Sequence, residues 1–382
     1  MGQSVAELQT KLMRDYYKNF SKYMKGRKPE KKIAWVTSFT PVEILEALDI
    51  AYYYPESYAA VIAASGKEQT MLEESGRQSL SLDCCAYSCC IEGNIALGKG
   101  PRGTLPPPDV LIATNNQCNT LPNWWNILAV RFGVPLIVLD YPGEAVDRRT
   151  ACTYVTQQHK DLIGKMEALS GRKLDPDLLD EVVSASAESV AAWRRLTDYM
   201  PVKALEPVDL FDAISFLITS RCRPETAELY KTLQADMDRL PNVDKQLIPL
   251  FWLGYPLWYH PDRYLKELLD GCRISGANYL TWWNLDFQGK TSLEQMFYAY
   301  NYTFLNLKQE TRTAQLLECI KASGAMGAVT LRNKSCKCDF VSARDIMIPQ
   351  AELEIDMVDR TFLDIERARQ QIALLKEAVC TT

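Results

Sequence analysis

The sequence predicts an α/β protein made of two parallel-sheet domains joined by a helical segment. Three observations predict it. Short, nearly unbroken apolar runs alternate with helix-period runs over residues 31–147, the strand signal fades across 148–241, and strand-like runs return within 242–382. A strand of a parallel sheet is covered by helices on both faces, so it reads as a continuous run of Val, Ile and Leu rather than as an alternation.

Residues 1–30 read as an N-terminal helix. The run Ile33-Ala34-Trp35-Val36-Thr37 is the first strand, and Pro41 to Leu48 begins a helix where the missing N–H of proline costs nothing. Asp109 to Thr114 is a second strand, Pro122 to Phe132 a helix, and Val134 to Asp140 a third strand that closes the first domain. In the connector, stretches such as Leu178 to Met200 carry the periodicity of amphipathic helices. The second domain is expected to hold strands at Gln246 to Leu253, Asn278 to Trp282, Ala328 to Leu331 and Ala351 to Asp356, and to end in a helix from Thr361 to Val379. No internal repeat aligns. Two doubly wound, Rossmann- or flavodoxin-like sheets are the expectation, with ligands at the carboxyl ends of the strands.

Composition excludes several functions. Of 382 residues, 43 are Lys or Arg and 48 Asp or Glu, a net charge of −5 with no long basic run beyond Lys25 to Lys32, so no footprint for a nucleic-acid backbone exists. No apolar stretch approaches the roughly 20 residues of a membrane span, and no signal-peptide layout opens the chain, so a cytoplasmic protein without membrane association is expected. No GxxxxGK phosphate loop occurs, so ATP hydrolysis is assigned elsewhere.

Twelve cysteines stand against two histidines, which points to a site built on sulfur. Cys84, Cys85, Cys89 and Cys90 fall in one short segment, Cys118 follows a strand, and Cys336 and Cys338 follow another. Cys152, Cys222, Cys272, Cys319 and Cys380 are scattered, as small packing residues are. Adjacent cysteines cannot all point into one core, and disulfides are disfavoured in a reducing compartment. Zinc usually shows Cys-x-x-Cys knuckles, which are missing here. Thiolates gathered from several loops suit an iron–sulfur cluster best, with zinc and plain packing left open.

Five landmarks in order then carry a resemblance over nearly the whole chain. They are Tyr54-Pro55-Glu56, the Asp83 to Ser88 segment, Cys118 after its strand, Ser335-Cys336-Lys337, and Ile348-Pro349 leading to Glu352 through Met357. The chain resembles the family of 2-hydroxyacyl-CoA dehydratase and benzoyl-CoA reductase subunits. That resemblance implies two α/β domains with a cluster in the cleft between them, and a [4Fe–4S] cubane on Cys85, Cys118 and Cys336. It also implies an acyl-CoA substrate, a homologous companion subunit or a second copy of the chain, and a separate ATPase that delivers electrons.

The sequence departs from the dehydratase pattern in carrying Cys84, Cys89, Cys90 and Cys338 as well. Family members with a double cubane, 8Fe–9S, bind it through additional cysteines, and helical spacing sets Cys85 and Cys89 on one face while Cys84 and Cys90 diverge. The main expectation is therefore the iron–sulfur subunit of a low-potential, ATP-driven reductase, most like benzoyl-CoA reductase. The alternatives are a 2-hydroxyacyl-CoA dehydratase subunit, or a double-cubane electron-storage or small-molecule reductase protein. Among other residues, Trp124-Trp125, Trp252, Trp258 and Trp282-Trp283 suit an aromatic wall or ordinary core packing, and His260 is a weak candidate proton donor beside a helix cap. Lys334 and Lys337 flank Cys336 as partners for negative charge or as solvated lysines, and the turn-rich Gly98 to Gly103 loop suits a CoA phosphate or a plain surface.

Overall fold

Strand β1 (Ile33–Val36) is buried at every position, because helices cover both faces of its sheet. In the computed structural model, which describes residues 3–78, 80–81, 83–259, 266, 268–336 and 346–381, β1 is joined by β2 (Ala51–Tyr53), β3 (Val110–Thr114) and β4 (Leu136–Leu139). The order is β2-β1-β3-β4 and every pairing is parallel. A second sheet of β5 (Ile248–Leu253), β6 (Cys272–Ala277), β7 (Gly327–Asn333) and β8 (Gln350–Ile355) has the order β6-β5-β7-β8, again all parallel. The two halves thus share one topology that no residue-level repeat announces. In each, the strand order reverses beside the first strand, between β1 and β3 and between β5 and β7. Such switch points open a crevice at the carboxyl ends of the strands.

The helices follow in chain order: α1 (Val5–Tyr16), α2 (Lys18–Met24), α3 (Val42–Ala47), α4 (Pro55–Ala64), α5 (Glu68–Arg77), α6 (Ala86–Leu97) and α7 (Thr120–Phe132). The connecting segment holds α8 (Arg148–Ser170), α9 (Pro176–Thr197), α10 (Pro207–Ser220) and α11 (Pro224–Asp238). Then come α12 (Asn278–Thr281), α13 (Ser292–Asn301), α14 (Gln309–Ser323) and α15 (Ile365–Thr381). Side chains alternate across β1: Ala34 and Val36 enter a core shared with the connecting helices and the second sheet, while Ile33 and Trp35 enter a separate core on the other face. Arg221, just after α10 and 1% exposed, pins the three parts together. Its guanidinium donates to Glu43 Oε1 of α3 at 3.2 Å and to Tyr300 Oη of α13 at 2.9 Å. A buried ion pair of this kind specifies one arrangement more than it adds net stability.

Three expectations change. The strand expected at Asn278 to Trp282 is the short helix α12, and the strand lies just before it as β6. Strand β6 carries Ser275 and Gly276 in place of a continuous apolar run; a Cβ at Gly276 would fall 2.7 Å from the Phe251 ring, so close packing demands the glycine and erases the strand signal. The short β2, only three residues long, adds a strand that the sequence pattern does not predict. The N-terminal segment is two helices that break at Tyr17 rather than one. His260, Lys337 and Cys338 lie outside the described residues. Among the described residues no helix is long and apolar enough to cross a membrane.

Candidate functional site

The carboxyl ends of β1, β2 and β3 carry the first group of site residues. Ser38 follows β1, and its N–H and Oγ–H both donate to Glu56 Oε2, at 3.1 and 3.0 Å. Glu56 is the second residue of α4, set there by the proline-started helix that leaves β2. It is 8% exposed. Burial pushes its carboxyl up to about 7, while the two Ser38 donors and the nearby Gln117 side chain pull it down. Gln117 follows β3, and its buried Oε1 has no hydrogen-bond partner among the described residues. In the sequence Glu56 stands out only as part of a landmark, and Ser38 does not stand out at all. The usable signal is an acidic residue just past a strand end, at the sheet edge where ligands bind.

Three thiols converge beside this pair. Cys85 is the N-cap of α6, and Cys118 precedes the first turn of α7. The backbone N–H groups of Tyr87 and Ser88 lie on the side of Cys85, and those of Thr120 and Leu121 on the side of Cys118, where they favour the ionised sulfur. Helix N-terminal amides favour negative charge, which offsets part of the cost of burying a thiolate at either sulfur. Cys336 comes from the other domain, three residues beyond β7. Burial pushes the Cys85 thiol well up and the Cys118 thiol up to about 11; charge on Cys336 raises both further, and charge on Cys118 also raises Cys85. Glu56 adds to the rise at Cys118. The loop bearing Cys336 is held by Asp356, whose carboxylate accepts from the N–H groups of Ser335, Val358 and Asp359. That role accounts for the acidic end of the last landmark.

The additional cysteines are placed differently. Cys84 is exposed, whereas Cys89 and Cys90 are 2% and 0% exposed and sit in the apolar cluster with Met71, Leu72 and Ile91. Burial pushes the Cys90 thiol well up and charge on Glu68 and Cys89 adds to the rise, while the Cys89 thiol donates to Ser81 O at 3.5 Å. Cys85 and Cys89 both adjoin this apolar cluster, but Cys85 stands at the N-cap rather than inside α6. With ψ at 122°, Cys85 is extended, and the helical phase begins only at the next residue.

A cavity of about 650 Å³ opens over Glu56, Ser38 and Gln117. Tyr87, Tyr255, Trp258, Tyr279, Trp282 and Trp283 line it, so two of the tryptophan groups expected as a wall do face it. Trp124, Trp125 and Trp252 are core residues instead. Arg102 of the turn-rich loop also reaches the cavity, its guanidinium 4.4 Å from the centre of the Tyr17 ring. Lys334 lies over the Phe362 ring at 4.6 Å and 4.0 Å from the Asp83 carboxylate.

An iron–sulfur cluster and a zinc ion would ask different things of these residues. Among the described residues no three Cys, His, Asp or Glu side chains close around a single metal ion. The Cys85, Cys118 and Cys336 thiols nevertheless feel one another's charge, and two of them stand at helix N-terminal ends. Thiols from three separate segments that influence one another without closing on a single point fit a core of several atoms better than one ion.

The chain is similar to known proteins over the same residues. Residues 37–378 match the family model described as 2-hydroxyglutaryl-CoA dehydratase, D-component. The chain is 26% identical to the (R)-2-hydroxyisocaproyl-CoA dehydratase alpha subunit of Clostridioides difficile over 330 residues, covering 83% of this chain and 81% of the relative. It is 25% identical to the (R)-phenyllactyl-CoA dehydratase alpha subunit of Clostridium sporogenes, covering 82% of this chain and 79% of the relative. A benzoyl-CoA reductase subunit of Thauera aromatica is 27% identical over a shorter match, 41% of this chain and 39% of the relative.

Proposed function

The chain belongs to the 2-hydroxyglutaryl-CoA dehydratase D-component family, and we propose that it is one subunit of an enzyme that eliminates water from a 2-hydroxyacyl-CoA thioester. The observation that carries this reading is the buried Glu56 carboxyl, poised near neutrality beside the Cys118 thiol and open to the cavity. Elimination takes hydroxide from C2 of the acyl group and a proton from C3, giving a 2-enoyl thioester and water with no net change in electrons. Glu56 accepts the C3 proton. Its two Ser38 donors hold the carboxylate in one orientation, and burial keeps it basic enough to act near pH 7. Gln117 Oε1 offers an acceptor to the substrate hydroxyl, and the aromatic wall keeps water from competing.

Cys85, Cys118 and Cys336 would hold a [4Fe–4S] cluster, which when bound supplies a low-potential electron and an iron with an open position for an oxygen ligand. Cys89 and Cys90 serve as packing residues in this reading, supported by their burial among Met71, Leu72 and Ile91. Electrons come from a separate ATPase activator, and a homologous companion subunit completes the complex. Dehydration is favoured over ring reduction because likeness to dehydratase alpha subunits extends over four-fifths of the chain, against two-fifths for the reductase relative.

The test reconstitutes the chain with its companion subunit and activator under anaerobic conditions. A 2-hydroxyacyl-CoA should be converted to the enoyl thioester with far less reductant consumed than product formed. Benzoyl-CoA reduced with two electrons consumed per turnover, and no enoyl product from hydroxyacyl substrates, would restore the reductase reading.

A further inference from the structure

We infer that the acyl group accepted at this site is bulky, uncharged and aromatic, and that acyl groups bearing a second carboxylate are excluded. The inference rests on the proposed dehydration for its reaction, and on the cavity alone for its acyl class.

At about 650 Å³ the cavity falls within the roughly 300–1,000 Å³ of small-molecule sites, with room for more than a short aliphatic acyl group. Its wall is a set of rings that hold one another. Tyr255 meets Trp282 edge-on at 5.1 Å and 84°, Trp258 meets Tyr279 at 5.8 Å and 75°, and Trp282 stacks on Phe304 at 13°. Trp258 is further fixed by its indole N–H, which donates to Tyr87 Oη at 2.6 Å. A ring entering such a wall finds edges and faces already in place, so it gains edge-to-face contacts without ordering flexible side chains.

Charge points the same way. Among the described lining residues Arg102 alone is cationic, and its guanidinium lies over Tyr17 at the α1 side of the cavity. The buried polar atoms of the lining that have no hydrogen-bond partner among the described residues are neutral: the indole N–H groups of Trp282 and Trp283 and the Oε1 of Gln117. They can serve a hydroxyl and a thioester carbonyl. They cannot balance a buried carboxylate, which Glu56 would repel as well.

The experiment uses the complex of this chain with its companion subunit and activator. Turnover of (R)-phenyllactyl-CoA should exceed that of lactoyl-CoA and 2-hydroxyglutaryl-CoA by about 100-fold in kcat/KM. Tyr255→Arg, which brings a cation to the wall, should reverse the order of the aryl and dicarboxylyl substrates. Tyr255→Leu, which keeps the wall apolar, should lower the aryl preference over lactoyl-CoA by about tenfold without admitting the dicarboxylyl substrate. Binding is measured separately by calorimetry with 3-phenylpropionyl-, propionyl- and glutaryl-CoA, which have no hydroxyl to lose. If no hydroxyacyl thioester is turned over, the proposed function falls while the calorimetric ranking still decides the acyl class. Lactoyl- or 2-hydroxyglutaryl-CoA processed as well as the aryl substrate, or propionyl- or glutaryl-CoA bound as tightly as the phenylpropionyl thioester, overturns the inference.

Discussion

Asn116 Nδ2 donates to the backbone carbonyl of Tyr300 at 2.8 Å, with both residues buried, and this bond ties the loop leading to Cys118 to helix α13. Thr303 Oγ1 returns a bond to Asn116 O at 3.2 Å, and the Tyr300 hydroxyl donates to Glu43 Oε2 at 2.6 Å. The position of Cys118 is therefore coupled to the buried Arg221–Glu43 pair and to the connecting helices. Asn116→Ala leaves a buried carbonyl without its donor and should cost about 1–3 kcal/mol in denaturant unfolding. Turnover should fall more than the affinity for thioester, since the loop is loosened while the wall of the cavity is left alone.

Cys85→Ala, Cys118→Ala and Cys336→Ala should each lose the cluster's iron and its visible absorbance, because removal of one thiolate from a three-thiolate set opens an iron to solvent. Cys90→Ala should keep its iron, at about four atoms per chain, and lose about 1–2 kcal/mol of stability as a small buried side chain does. Cys380→Ala, at an exposed position on the last helix, should change neither. Loss of half the iron from the Cys90 variant would revive the double-cubane reading.

The Glu56 carboxyl must be ionised to accept a proton, and burial holds it at about 7. The rate should therefore rise with pH and level off above that value. Glu56→Gln should retain iron and thioester binding but lose about 100- to 10,000-fold in kcat. Ser38→Ala removes a donor that favours the ionised form, so it should move the rising limb of the profile to higher pH.

His159 is fully buried, its Nε2 2.9 Å from Tyr141 Oη, and burial lowers its pKa to about 3. The unfolded chain protonates this residue below about 6.5 while the folded chain leaves it neutral. Its contribution to stability is thus complete above pH 6.5, declines as pH falls toward 3, and is constant below that. The slope is roughly 1.4 kcal/mol per pH unit at its steepest. His159→Phe should flatten this part of the stability–pH curve, as read by denaturant midpoints between pH 4 and 7.

Local pattern is enough for the strands that are buried on both faces. Trp35, Leu111 and Phe251 lie in runs whose unbroken apolarity reports only that each residue is covered, and that much is a local property. It fails at β6, where Gly276 is required by the nearness of Phe251, a residue distant in the chain. The three cysteines proposed to hold a cluster stand out in the sequence for a related reason: each stands next to a strand end or helix start, and a parallel sheet sends its strand ends to one edge. Which ends meet is not legible. Ser38 and Glu56 bond because β2 pairs with β1, and Cys118 lies beside them because β3 pairs with β1 on the other side. Cys336 joins from a second sheet through the docking of two domains, and Cys85 leaves the helical phase of α6 through one extended backbone dihedral. Strand order, domain docking and a single backbone dihedral depend on contacts between residues far apart in the chain, and a residue pattern along one segment carries no record of them.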